Sequence, residues 1–527
     1  MKAVLNNLGV CILTGIFFLL AWNPIGIVPL IFIALLPLLF LHYKHINSKN
    51  RVYFLWMFIA FLCLNITTTW WVWNSSSWGA LAMLLLNALF MTIPFVLSRW
   101  VQKRTTAYIG QIGLVVFWLS FEYVHLRWDG SWPWLNLGNV FSDFTQFVQW
   151  YEYTGIFGGS LLVLLVNLFI WNGIYDKKKG FLHATFAMLS VLFLWSYYLG
   201  NSDKIKTTDA IDVVCIQPNY DAYTEKFTLP PSQMLDEMIT LSQTEVDENT
   251  DVLVWPETSL VDNVDVNKPQ LDYQIQRLRV WKRKYPNLSI FTGANAQKLY
   301  RGIYKKPEMA ARNFGRPNSG IWWVFYNASF LLTGDSVYVY HKSKLVPGTE
   351  ILPFMGTFPF LEKLAVSLDE HSASGTLGTS GHYKPPMAGK HKMVPAICYE
   401  SIYGEHVANF VNNGAEYISV ITNDAWWGNT PGYKQHLSYS KLRAIETRKW
   451  VARSANTGIS AFINPHGEIV KKSAWQEKIA IKHKIYTNTL KTFYTRHGDY
   501  IGRAAVLGSI LLSLLCLVPK DLRGKRL

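Results

Sequence analysis

Val394-Pro395-Ala396-Ile397-Cys398-Tyr399-Glu400-Ser401 is an apolar run that stops abruptly on a thiol and a carboxylate. An uncharged stretch of this length reads as a strand covered on both faces, not one that is half solvated. The same texture recurs upstream in Ile211–Gln217, Val252–Trp255, Leu288–Thr292 and Tyr326–Leu332, and downstream in Tyr417–Ile421. Helical periodicity lies between these runs, at 232–246, 270–284 and 435–452. Strands alternating with helices predict an α/β domain with its own core, starting near Ala210.

Outward from that block the chain changes character. Half of its 527 residues are hydrophobic and 16% are charged, where soluble proteins carry about 25% charge. Crossing a hydrocarbon core of about 30 Å takes about 20 helical residues. Eight stretches qualify, near 5–22, 25–43, 52–73, 79–99, 107–125, 154–174, 181–199 and 500–518. A cleavable leader does not explain the first, since no small-residue cleavage site precedes the second and further spans follow.

The net charge of +15 suggests a nucleic-acid partner only until it is located. Lys2, Lys44, Lys49, Arg51, Arg99, Lys103, Arg104, Lys177, Lys178, Lys179, Lys520, Arg523, Lys525 and Arg526 all flank apolar runs on one side of the expected bilayer. Cytoplasmic loops collect Lys and Arg, so both termini are expected in the cytoplasm and the α/β block outside. No nucleic-acid role is expected. The resulting division is 1–205 for seven spans, 208–495 for the outer domain, and 498–527 for a last span and basic tail. The loop 126–153, with Trp128, Trp132 and Trp134, reads either as an interfacial aromatic belt or as a wall of a lipid-facing site.

Three motifs stand where predicted strands run out. They are Trp255-Pro256-Glu257-Thr258-Ser259, then Tyr340-His341-Lys342-Ser343-Lys344 continuing to Glu350, then Ile397-Cys398-Tyr399-Glu400-Ser401. Residues at strand ends can converge on one point. A thiolate attacks carbonyl carbon and leaves again. A carboxylate can take and return its proton. An ammonium can stabilise an oxyanion, with the N–H after Cys398 as a second donor. Each motif alone has a duller reading, as core cysteine, turn or solvated lysine face. Cys11, Cys63 and Cys516 read as packing within spans, Cys215 as a mid-strand core residue, and His436 as structural. Arg443, Arg448 and Arg453 read as one helical series, solvated or ion-paired, with one of them available to lipid phosphate.

The order Glu257, Lys342, Cys398 resembles the Glu-Lys-Cys triad of the nitrilase (carbon–nitrogen hydrolase) superfamily. Fused to many spans, the whole chain resembles the bacterial apolipoprotein N-acyltransferase family. Leu345-Val346-Pro347, Thr422-Asn423-Asp424-Ala425-Trp426-Trp427-Gly428, Gln435-His436, Arg453–Gly458 and Pro465–Ile469 also match. The resemblance implies an αββα sandwich carried on eight transmembrane helices. It assigns catalysis to Glu257, Lys342 and Cys398, support to Glu350 and Glu400, and site lining to Tyr399 and Trp426. Two departures stand out: Pro347-Gly348-Thr349-Glu350 replaces the usual Pro-Phe-Gly-Glu, and Lys226-Phe227 stands where Lys-Trp is usual.

The implied reaction is ping-pong. A glycerophospholipid, phosphatidylethanolamine being the expected donor, acylates Cys398. The chain then passes to the α-amino group of the diacylglyceryl-cysteine that begins an apolipoprotein. No cofactor and no metal is expected, and a monomer in the bacterial inner membrane is, with its catalytic domain periplasmic. The alternatives are a membrane-anchored amidase acting on a small amide, and a non-enzymatic lipoprotein receptor with a vestigial triad.

Overall fold

The computed structural model describes residues 2–202, 205–226, 228–313, 319–356 and 376–518. Phe227 and the basic tail lie outside them. The first 200 residues form α1 (Lys2–Ala21), α2 (Leu36–Lys44), α3 (Asn50–Thr69), α4 (Ser77–Arg104), α5 (Ala107–His125), α6 (Tyr151–Ile174) and α7 (Gly180–Gly200). All of these except α2, together with the C-terminal helix Tyr500–Leu517, are long and apolar enough to cross a membrane. They make seven such helices among the described residues.

The expected second span is built differently. It is a 3-10 turn Val28–Phe32 followed by the nine-residue α2. Pro29 and Pro37 remove backbone donors that a continuous helix needs. The freed groups find partners on α6, where Asn167 Oδ1 accepts from Leu35 N at 2.9 Å and Asn167 Nδ2 donates to Ile31 O at 2.9 Å. This is how broken helices survive in lipid. The segment runs back along α1, because Lys44 Nζ donates to Asn7 Oδ1 at 2.7 Å and Asn7 lies 2.8 Å from His45.

Outside the membrane region, six runs expected as strands are strands. The first sheet has the order β13-β1-β2-β4-β5-β6, with β3 beside β4. Its strands are β1 (Ala210–Gln217), β2 (Val252–Val254), β3 (Leu260–Asp265), β4 (Ser289–Arg301), β5 (Ile321–Thr333), β6 (Ser336–His341) and β13 (Ile479–Tyr486). The second has the order β12-β11-β10-β9-β8-β7. It contains β7 (Met387–Ala388), β8 (His391–Ile397), β9 (Tyr417–Thr422), β10 (Val451–Ala455), β11 (Ala461–Ile463) and β12 (Ile469–Lys472).

Strand β1 explains the layering. Val213 and Cys215 point into the core shared with Val394, Ala396, Ile418 and Val420 of the second sheet. Val214 and Ile216 point the other way, under Met234, Leu235 and Met238 of α8 (Pro231–Ser242) and Leu278 of α9 (Tyr273–Lys282). Alternate residues of one strand thus bury against different layers, which is why no polar alternation shows in the sequence. The helices Gly404–Asn412 and Pro431–Thr447 cover the second sheet, completing a mixed α/β sandwich of two sheets between helices.

The helix expected over 435–452 ends at Thr447. Arg448 adopts φ 53°, and the chain re-enters the second sheet at Val451. The three arginines therefore do not share a helix face, and none is solvated: Arg443 bonds Glu446 at 2.7 Å, Arg448 bonds Glu152 at 2.6 Å, and Arg453 on β10 bonds Asp424 at 2.7 Å, all buried.

The membrane helices and the extramembrane sandwich share one apolar core, in which Tyr399, Ile402, Tyr403, Tyr439 and Leu442 join residues of α1, α3 and α6. Polar bolts reinforce it. Arg127 bridges Glu405 and, at 2.9 Å, Asp499, and Trp22 Nε1 donates to Tyr439 Oη at 3.0 Å. Loop 126–153 is neither fully solvated nor a peripheral belt, since Trp134 is buried. It folds as short 3-10 turns wedged between the two parts. Gly138 sets its depth, because a Cβ there would lie 2.0 Å from the backbone oxygen of Ile156. Gly138→Ala is expected to cost at least about 2 kcal/mol by overpacking, seen as a lower unfolding midpoint of the detergent-solubilised protein.

Candidate active site

Strand β2 stops at Val254, and Pro256 prevents its continuation. Trp255 anchors the turn from below, its Nε1 donating to Ser242 Oγ at 2.9 Å. Gly293 on β4 lets the turn lie flat, as a Cβ there would meet Glu257 Cα at 2.6 Å. Glu257 is thereby pinned at the rim. Its Oε1 accepts from Lys342 Nζ at 3.1 Å and Asn327 Nδ2 at 2.7 Å, and its Oε2 accepts from Asn423 N at 3.0 Å.

Lys342 follows β6 directly and is 1% exposed. Its main-chain N–H donates to Asn327 O at 2.9 Å, and its ammonium reaches Glu350 Oε1 at 2.9 Å as well as Glu257. Asn327 Nδ2 also donates to Glu350 Oε1, at 2.8 Å. Two donors and two carboxylates therefore close a four-membered ring of hydrogen bonds. Val346 N donates to Glu350 Oε2 at 2.8 Å, so the Gly348-Thr349 departure leaves Glu350 in place.

Cys398 directly follows β8 and opens a 3-10 turn, Cys398–Ile402, with φ 50°. Such backbone is uncommon for a residue bearing a Cβ and persists only where its surroundings hold it. Ser401 Oγ donates to the Cys398 carbonyl at 2.7 Å, and His436 Nε2 lies 3.1 Å from the same oxygen. Glu400 ties the turn to the Lys342 segment. Its Oε1 accepts from Ser343 N at 2.6 Å and Tyr340 Oη at 2.6 Å, and its Oε2 accepts from Ile397 N at 2.8 Å.

Burial pushes the Glu257 carboxyl up, but Lys342, the Asn327 hydrogen bond and Lys226 outweigh it and hold Glu257 below its ordinary range. Burial opposes the Lys342 ammonium, while Glu257, Glu350 and Cys398 together hold it well above its usual value. The Cys398 thiol is pushed up, first by burial and then by Glu257, against the pull of Lys342. At rest the pocket thus holds a carboxylate, an ammonium and a neutral thiol. Burial raises Glu400 to about 7 against its hydrogen bonds from Tyr340 and the backbone.

Cys398, Asp424 and His436 offer donor atoms within 4.8 Å of one another, a set of types that zinc accepts. Arg453 already occupies the corner, bonding Asp424 Oδ2 at 2.7 Å and lying 3.1 Å from His436 Nδ1. A dication there would face a guanidinium, so the trio suits a charge-balanced brace for Cys398 better than a metal.

An aromatic floor lies beneath. Tyr399 Oη donates to Ser131 O at 2.8 Å, and its ring is 6.4 Å from Trp132. Trp132 stacks on Trp134 at 5.5 Å, and Trp134 meets Trp71 at 4.9 Å and Trp427 at 5.5 Å. Trp426 sits at the margin, edge-on to Tyr223 at 5.3 Å.

Residues 213–491 match the carbon-nitrogen hydrolase family model, and residues 14–169 match the apolipoprotein N-acyltransferase N-terminal domain. The chain belongs to the apolipoprotein N-acyltransferase family of carbon-nitrogen hydrolases. It is an acyltransferase and a multi-pass membrane protein with an extramembrane α/β domain. Among its relatives, the apolipoprotein N-acyltransferase of Chlorobaculum tepidum is 29% identical over 525 residues, covering 97% of this chain and 95% of that protein. The one from Rickettsia prowazekii is 27% identical, covering 96% and 97%. A solved structure, Saccharomyces cerevisiae Nit3 of the nitrilase superfamily, is 15% identical with a TM-score of 0.37, covering 54% of this chain and 92% of that one.

Asn327, Asp424 and Arg453 escaped the sequence reading of this family member as parts of the site. Asn327 lies in an otherwise apolar strand, and a buried amide must find partners, which was the available signal. Asp424 and Arg453 pair across 29 residues of chain with no local cue.

Proposed function

We propose that this acyltransferase moves a fatty acyl chain from a membrane glycerophospholipid to the α-amino group of an apolipoprotein's diacylglyceryl-cysteine. The observation carrying this reading is the join between Cys398 and the membrane part: the next residue, Tyr399, hydrogen-bonds Ser131 and packs on Trp132. A reactive thiol set on an aromatic floor continuous with apolar helices suits substrates that keep their tails in lipid.

Glu257 takes the Cys398 proton as the sulfur attacks the ester carbonyl carbon. Lys342 and the Tyr399 N–H, in the first turn where donors lack intrahelical partners, meet the oxyanion. Collapse breaks the ester bond, and Glu257 returns the proton to the departing glycerol oxygen, releasing a lysophospholipid. The neutral amine then attacks the thioester, the sulfur leaves, and Glu257 passes the amine proton back to it. Glu350 and Glu400 position the lysine and cysteine segments, and Tyr399 and Trp426 line the acyl path.

The reading includes eight crossings, with the broken Val28–Lys44 segment as the second, because its far end returns to the start of α1. Residues 1–205 and 498–527 are then the membrane parts, with cytoplasmic termini, and 208–495 the periplasmic catalytic domain. An impermeant thiol reagent applied to intact cells should label a cysteine placed at Glu248 and spare one at Lys49. In vesicles of phosphatidylethanolamine with a diacylated cysteinyl peptide, N-acylated peptide and lysophospholipid should form in equal amounts. Ammonia from small amides without lysophospholipid would instead establish the amidase.

A further inference from the structure

Lys226 belongs to no helix or strand, yet only 1% of it is exposed. It lies between β1 and α8, and its ammonium donates to the main-chain oxygen of Glu257 at 2.9 Å. With the Asn423 amide turned so that its oxygen meets donors, that oxygen lies 3.2 Å from Lys226 Nζ and 3.3 Å from Trp426 Nε1. Both acceptors are neutral, whereas the Lys342 ammonium is held by two carboxylates. Burying an ammonium on neutral acceptors is costly unless a charge nearby compensates. At rest the charge that does so is the Glu257 carboxylate, and the Cys398 sulfur becomes a second one when it loses its proton. Burial lowers Lys226 to about 8 against the pull of both.

The segment is also built to deliver this lysine. Asp221 Oδ1 accepts from Tyr223 N at 2.9 Å and Thr224 N at 2.8 Å, fixing the turn. Tyr223 Oη donates to Asn74 O at 2.8 Å, in the 3-10 turn Trp70–Asn74 that follows α3, and reaches Trp426 O at 3.2 Å.

Charge counting gives the lysine a task. Glu257, Glu350 and Lys342 together carry one net negative charge, and Asp424 with Arg453 carries none. When Glu257 takes the thiol proton, that negative charge moves to sulfur and then to the substrate oxygen without being balanced by Lys342. We propose that Lys226 is a second active-site cation, offsetting the negative charge that forms at the Cys398 sulfur and the tetrahedral oxyanion. It exchanges no proton in this role. The inference rests on the acyl-transfer reading for its oxyanion part, while its sulfur part stands on the pocket alone.

The charged groups acting on Cys398 are Glu257, Lys342, Asp424 and Lys226, His436 lies within 4.8 Å of it, and Glu350 and Arg453 pair with Lys342 and Asp424 behind them. The test follows iodoacetamide alkylation of Cys398 in the full-length detergent-solubilised protein, read by peptide mass spectrometry between about pH 6 and 10. Lys226→Met should slow alkylation about tenfold at neutral pH, displacing the rising limb of its rate–pH profile up by about one unit. Lys226→Arg should stay within about threefold of the parent. Lys226→Gln, which keeps a donor for the Glu257 carbonyl without the charge, should behave like Lys226→Met and replaces it if that variant unfolds. An unshifted Cys398 profile in either folded neutral variant overturns the proposal. Alkylation needs no lipid, so a parent protein that alkylates as described but never acquires an acyl group would count against the acyl-transfer reading alone.

Discussion

Cys398→Ala is expected to lower acyl transfer at least about a thousandfold, because the covalent route through the thioester is lost altogether. Parent protein exposed to phospholipid alone should gain the mass of one fatty acid less water, removable by hydroxylamine, on the peptide containing Cys398. The alanine variant should gain nothing. The variant should fold, since Cys398 makes its hydrogen bonds to Ser401 and His436 through its main-chain oxygen, which alanine keeps. The φ of 50° burdens alanine as much as cysteine. Cys398→Ser is the sharper form of the experiment. Its hydroxyl is nearly isosteric, but Glu257, held below its usual range, is too weak a base to make an alkoxide, so transfer should fall almost as far. Undiminished transfer by Cys398→Ala would remove the nucleophile and with it the ping-pong scheme.

What could be read from sequence was governed by how local the cause was. Long apolar windows located seven helices, because lipid solvation is a property of each segment by itself. The eighth window, 25–43, was equally apolar, yet its broken backbone depends on Asn167, 132 residues beyond Leu35, which bonds Leu35 N and Ile31 O where the helix is interrupted. Six buried strands were legible from uninterrupted apolar runs. The short or half-exposed strands β3, β6, β7, β10, β11, β12 and β13 were not, since their pairing partners and not their own composition make them strands.

The site was legible where a side chain's chemistry and its strand end coincided, as at Glu257, Lys342 and Cys398. It was illegible where a residue acts through a distant partner. Arg453 looked like the next step of a helical arginine series, but Arg448 in the left-handed region ends that helix, and Asp424 then draws Arg453 into the core. His436 was read as structural; it lies beside the Cys398 carbonyl oxygen, a contact no spacing rule between residues 398 and 436 could have supplied.

Lys342→Ala should damage stability as well as turnover, and the two losses should depend on pH in opposite senses from the parent. The lysine sits 3.1 Å from Glu257 and 2.9 Å from Glu350, all largely buried. Removing one member of a buried ionic cluster costs about 3–5 kcal/mol, because the remaining charges are left without compensation. Here the two carboxylates would have only the neutral Asn327 in common, with Lys226 acting on Glu257 from further off. In the parent, Glu257 is held below its ordinary value, so it contributes stability above that ordinary value, lost only as pH falls through the depressed one. In the variant the sign reverses, since a proton shared between the carboxylates relieves their repulsion. Folded-state affinity for that proton then exceeds the unfolded one, and stability drops as pH rises. The variant's unfolding midpoint should therefore lie further below the parent's at pH 8 than at about pH 5.5. Adding Glu350→Gln should recover part of the loss by removing one of the two charges, whereas transfer activity, which needs the cation at the oxyanion, should stay at least about a hundredfold down. Equal midpoint deficits at both pH values, or no recovery with Glu350→Gln, would mean that the ring of Glu257, Lys342, Asn327 and Glu350 is not the ionic unit its geometry describes.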